Sequence, residues 1–167
     1  MSENNLVNLG DISKPATVLI EKVSEAVGGI AKPWQIKRVA KAEAEAELIR
    51  AQTRVQISEI EERALIRMVR EEGQKQENIE SITTKALTHL TEQAKPEDIE
   101  RDWISHFFDR SRSTSDEDMQ SLWAKILAGQ ANRPGTFSKK TVDLVETLEK
   151  NDALLFTKLN SFTWQFG

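Results

Sequence analysis

AGQANRPGTFSKKT, residues 128–141, decides the fold class. Two glycines, a proline and a Lys-Lys-Thr ending give it the outline of a phosphate-gripping loop between a strand and a helix, which would make the chain α/β. The alternative is a joint between two packed helices, which makes it all-α. A Walker loop needs G-x-x-x-x-G-K-[ST], because main-chain amides must close around the phosphate. Aligned on Lys140-Thr141, the chain places Lys139 where the second glycine belongs, and a lysine lacks the glycine's backbone freedom. No strand pattern precedes the stretch; a Trp-bearing helical pattern does. It reads as a helix stop at Gly129, a turn at Pro134-Gly135 and a helix start capped by Ser138.

Working outward, Lys95-Pro96 is the clearest boundary in the chain. Beyond it the spacing predicts four helices, a compact domain over 96–167. The first runs from Pro96 to about Arg110 and buries Ile99, Trp103, Ile104, Phe107 and Phe108. The second opens at Ser115 with a capping box that uses Asp118, and turns Met119, Leu122, Trp123, Ile126 and Leu127 inward. The third carries Val142, Leu144, Val145 and Leu148. The fourth starts at Asn151 or Asp152 and continues through Leu154, Leu155, Phe156, Leu159 and Phe162.

Upstream, residues 34–92 consist mostly of strong helix formers, without proline and with glycine only at 73, and predict a long helical stalk. Ile49, Ile57, Ile60, Ala64 and Met68 recur at threes and fours as a thin apolar seam, the mark of a coiled-coil-like helix that needs a partner. Residues 1–14 are polar. Residues 15–31 form an amphipathic helix, with Pro15 in its first turn and Ser13 as cap. Its stripe of Leu19, Ile20, Val23, Val27 and Ile30, with Trp34 beyond, suits either a helix bundle or a membrane surface. Lys32, Lys37, Arg38 and Lys41, with no acid among them, would meet an anionic partner such as lipid headgroups.

Composition narrows the chemistry. The chain has no cysteine, which excludes disulfides, thiolate metal sites and cysteine nucleophiles. A net charge of -4 argues against a surface built for nucleic acid. No stretch has the length of apolar sequence that a spanning helix requires, and MSENN lacks the order of a signal peptide. The reading is cytoplasmic, with a peripheral place at the inner membrane left open. His89 and His106 have no metal-binding company; His106 and Asp109 make at most one ring–carboxylate pair. The acids Asp98, Glu100 and Asp102 suit the start of a helix, whereas Lys139 and Lys140 in a first turn oppose the helix dipole and point to an anionic partner. No catalytic residue, metal ligand or cofactor is nominated.

The stretch from Lys95 to Phe156, with Ser13–Gln52 and KQENIESIT at 75–83, resembles an uncharacterised bacterial family, domain of unknown function 2806. Its most specific run is Met119–Gly129. That run, with Pro134-Gly135, Ser138 and Asp152-Ala153, is also similar in layout to the abortive-infection alpha group of phage-defence proteins. The likeness implies an anti-phage or membrane-linked defence role and brings no active site. The family's members are expected to be longer, so that Phe162, Trp164 and Phe166 mark a shortened form or a tail docked on a partner. Together these readings predict a non-enzymatic, self-associating all-α protein that forms homo-oligomers and interacts through protein surfaces. Two alternatives stand beside it: a membrane-active effector that inserts helix 15–30, and a nucleic-acid-binding helical module.

Overall fold

A computed structural model describes residues 12–30, 59–148 and 152. Among them it contains five α-helices and no strand: α1 (Lys14–Val27), α2 (Glu59–Leu87), α3 (Arg101–Ser111), α4 (Glu117–Asn132) and α5 (Lys139–Glu146). A 3₁₀ turn, Pro96–Asp98, lies between α2 and α3. The fold is all-α. Asp152 is helical; the rest of the expected fourth C-terminal helix lies outside the described residues.

The Ser13 hydroxyl caps α1 by accepting from the Ala16 amide at 3.4 Å. The helix ends where Gly28 and Gly29 take φ of 85° and 120°, left-handed values that a side chain resists. Helix α2 runs 29 residues straight through Gly73. Its first half is largely exposed, while Asn78, Ile79, Ile82, Thr83 and Ala86 turn into the core. The first C-terminal helix does not start at Pro96 as expected. The 3₁₀ turn gives way to extended backbone at Ile99 and Glu100 before α3 begins. Asp116, not Ser115, caps α4, accepting from the Asp118 and Met119 amides at 3.0 and 3.1 Å. Ser115 instead accepts from the Asn78 amide at 3.3 Å.

Gly129 does not stop α4, which continues to Asn132. The joint it belongs to is real, and Ser138 caps α5 by accepting from the Thr141 amide at 3.2 Å. One further expectation is corrected there. Leu144 is 62% exposed, because Val142 and Val145 already face α3 and each residue rotates by about 100°, leaving position 144 on the far side.

One hydrophobic cluster joins all five helices: Leu19 and Val23 of α1, Ile79, Ile82 and Ala86 of α2, Trp103, Ile104, Phe107 and Phe108 of α3, Leu122, Trp123, Ile126 and Leu127 of α4, Val142 and Val145 of α5. Phe107 sits among aromatics, stacked on Trp103 at 5.2 Å and meeting Trp123 edge-on at 5.3 Å. The Lys95-Pro96 step is thus a turn inside one packed unit. Asn132 fastens the approach to it, accepting from the Thr91 amide and donating to the His89 carbonyl, each at 2.9 Å. The Lys95 amide donates to the Ala131 carbonyl at 2.8 Å.

Candidate interaction surface

Helix α2 carries the most exposed apolar surface among the described residues. Ile60 is 72% and Met68 56% exposed, and Ala64 between them is also open. Spacings of four put the three on one face, with half-buried Leu65 and Val69 beside it. Charges of both signs flank the face. Arg63 pairs with Glu59 at 3.6 Å, Arg67 with Glu71 at 3.8 Å and Lys75 with Glu72 at 2.6 Å. The hydrogen bond from Lys75 holds the Glu72 carboxyl below its ordinary range. Ile49 and Ile57 of the expected seam lie outside the described residues, as do Trp34, Lys32, Lys37, Arg38 and Lys41.

The stripe of α1 is placed differently. Leu19 and Val23 are fully buried and Ala16 nearly so, against α3 and the 3₁₀ turn. Ile20, Val27 and Ile30 are half-buried. The face that suited either a bundle or a bilayer here faces a bundle. Among the described residues no helix is long and apolar enough to cross a membrane.

Polar side chains that looked like chemical candidates are engaged between helices. Asp102, His106 and Arg110 lie four apart on α3 and meet Lys139, Asp143 and Glu146 of α5. Lys139 pairs with Asp102. His106 Nε2 lies 2.8 Å from Asp143 Oδ1, and Arg110 reaches Asp143 at 3.1 Å and Glu146 at 3.3 Å. His106 therefore pairs with Asp143, not with Asp109, which turns to Arg112 at 3.5 Å. Lys139 has its anionic partner within the chain, and its hydrogen bond keeps the Asp102 carboxyl below the usual carboxylate range. The spacing of the two rows was visible in the sequence, but their facing required the tertiary structure. No group of three or more His, Asp or Glu suited to a metal ion occurs among the described residues.

A second network ties α2 to α4. Gln120 accepts from the Ser81 hydroxyl at 2.7 Å and from Lys85 at 3.0 Å, and donates to Asn78 Oδ1 at 3.1 Å and to the Thr114 carbonyl at 3.0 Å. Asn78 donates in turn to the Arg112 carbonyl at 2.9 Å. Both amides are buried, and nothing in hydropathy spacing announces a buried Asn–Gln pair. Among the described residues, two of the three exposed large hydrophobic side chains, Ile60 and Met68, lie on α2's open face.

The sequence profile of the family described as Protein of unknown function (DUF2806) matches residues 62–167, well over half of the chain. The chain belongs to this family. The DUF2806 match takes in α3, α4, α5 and nearly all of α2, and α1 lies ahead of it. Comparison with curated proteins and with solved structures finds no match.

Proposed function

We propose that this DUF2806 chain is a non-enzymatic assembly module that associates with a second copy of itself along the first half of α2. The observation that carries the proposal is the row Ile60, Ala64, Met68: with Leu144, Ile60 and Met68 are the exposed large hydrophobics among the described residues. An amphipathic helix gains from a partner roughly 25 cal/mol for each Å² of apolar surface it covers. Opposite charges interspersed along the flanks suit the same helix of another copy, as in a coiled coil. Asp102, His106 and Arg110 of α3 pair with Lys139, Asp143 and Glu146 of α5. The experiment is light scattering of the full chain beside Ile60→Glu/Met68→Glu. The wild type should exceed monomer mass and the variant should fall towards it; a wild type that stays monomeric at high concentration refutes the proposal.

The biological half of the proposal, a bacterial component acting against phage, rests on the resemblance in layout to the abortive-infection alpha group read from the sequence of the Met119–Gly129 run. Plaque counts on cells carrying the intact gene and the same double variant test it. Protection that is absent from both, or undiminished in the variant, removes the link between defence and assembly. A membrane-active role for residues 15–30 would require α1 to leave the core, at the cost of uncovering Leu19 and Val23.

A further inference from the structure

We infer that two copies joined along α2 run antiparallel, with Ala64 facing Ala64 and the packed units at opposite ends of the shared row. The inference rests on the self-association proposed above and gives that contact its direction.

The direction follows from what covers the same face further along the helix. From Glu59 to Leu87, α2 is one continuous helix. At 3.6 residues per turn, five turns bring residue i+18 back to the azimuth of residue i. Ile60, Ala64 and Met68 therefore share their azimuths with Asn78, Ile82 and Ala86. The first three are exposed and the second three are buried. The chain's own packed unit buries them: Asn78 Oδ1 accepts from Gln120 of α4 at 3.1 Å, and Gln120 also meets Ser81 and Lys85. One stripe of α2 is thus open over its first turns and roofed by α4 from Asn78 onward.

That roof decides between the two directions. Packed helices lie about 8–10 Å apart, axis to axis. In a parallel, in-register pair, both copies' α4 would have to enter the gap between the two α2 helices. Each α4 is itself about 10 Å across. Met68 and Asn78 stand only about 15 Å apart along the axis, too short a run for the helices to part by that much. A crossing steep enough to clear α4 would lift Ile60 or Met68 off the partner, since those two are about 12 Å apart. Reversing one helix removes the overlap of the packed units. Ile60 then meets Met68 of the second copy, and each α4 lies beyond the opposite end of the row, a closed two-fold contact.

The flanking charges favour the parallel direction, but weakly. Arg63 and Arg67 lie on one edge of the row and Glu72 on the other, so opposite signs would meet in a parallel pair. All three are exposed and already paired within their own helix, with Glu59, Glu71 and Lys75. Exposed ion pairs contribute little to such a choice, whereas close-packed helices cannot share one space.

The chain lacks cysteine, so introduced thiols are unique. Full-length Ile60→Cys and Met68→Cys chains, carrying different tags, are co-expressed, purified and mildly oxidised. An antiparallel pair gives a disulfide product containing one of each, and Ile60→Cys by itself gives little; a parallel pair does the reverse. A spin label on Glu77→Cys, at an exposed position on the side of α2 away from the row, leaves the contact intact. Two such labels should stand about 40 Å or more apart in an antiparallel pair and under about 30 Å apart in a parallel one. Suppose light scattering shows a dimer, and Ile60→Cys links to itself or the labels lie at the short distance. Then the direction is overturned while self-association stands. If neither disulfide forms in a dimeric protein, the label distance decides alone. A wild type that stays monomeric removes the association first, and its direction with it.

Discussion

The ring of Phe137 lies against the bare face of Gly129: a Cβ placed on that glycine would stand 2.8 Å from Phe137 Cε2. The Phe137 backbone is held in place, its amide donating to Gln130 Oε1 at 2.8 Å and its carbonyl accepting from Trp103 Nε1 at 2.8 Å, so the ring would have to turn to make way. A helix continues through Gly129 so that the α4–α5 joint can fold back onto it.

Gly129→Ala should therefore destabilise the protein by about 1–3 kcal/mol, the scale of overpacking a core, although alanine is the better helix former. Gly73 sits mid-helix in α2 with open space around it, and Gly73→Ala should stabilise by about 0.5–1 kcal/mol. Denaturant midpoints of the two variants should move in opposite directions. If both rise, the close approach of Phe137 is not a constraint.

Burial, not hydrophobicity, should set the cost of truncating an aliphatic side chain here. Leu19→Ala removes a fully buried residue and should cost about 2–5 kcal/mol. Ile60→Ala at 72% exposure should change intrinsic stability by no more than about 0.5 kcal/mol in dilute solution, while weakening association. Thermal unfolding at several protein concentrations separates the two effects.

The α2–α4 network should behave as a unit. Gln120→Leu strands Ser81, Lys85 and Asn78 and should cost about 1–3 kcal/mol. Asn78→Leu should cost a similar amount. The double variant should cost less than their sum by more than about 0.5 kcal/mol, because each single change already breaks the shared bond. Strict additivity in a double-mutant cycle would show that the two amides act separately.

Acid should loosen the α3–α5 contact through Asp102. Its folded-state pKa is lowered by the hydrogen bond and charge of Lys139, so the unfolded chain takes up this proton first as pH falls. The stabilisation is present above the unfolded pKa of an aspartate and is lost as pH falls through the lowered folded value. Being exposed, the pair contributes little and is screened by salt. Carboxyl NMR titration should show Asp102 titrating below the ordinary aspartate range, and returning to it in Lys139→Met. An unchanged midpoint in that variant would break the assignment.

Residues 128–141 were readable in advance because a phosphate loop makes strict demands on glycine placement, which Lys139 violates. The same holds for α1, whose apolar spacing, Ser13 cap and glycine stop are local features. Phe107, Trp123, Ile126 and Leu127 were legible as core for the same reason. Asp116 displaced Ser115 as the cap of α4 because both can cap, and the choice depends on Asn78, 37 residues away, claiming the Ser115 hydroxyl. Leu144 looked inward because an eight-residue helix offers too few turns for spacing to define one face.

What the chain determines by itself is the helical class and which residues want to leave water, because capping, propensity and period act over one or two turns. What only the tertiary structure decides is where those faces go. Leu19 and Val23 find α3, His106 finds Asp143 and not Asp109, and Lys139 finds Asp102. Each of these choices pairs residues more than thirty positions apart. A periodic pattern states that a face must be covered, but the covering surface is selected by packing among distant elements, and no local rule encodes that selection.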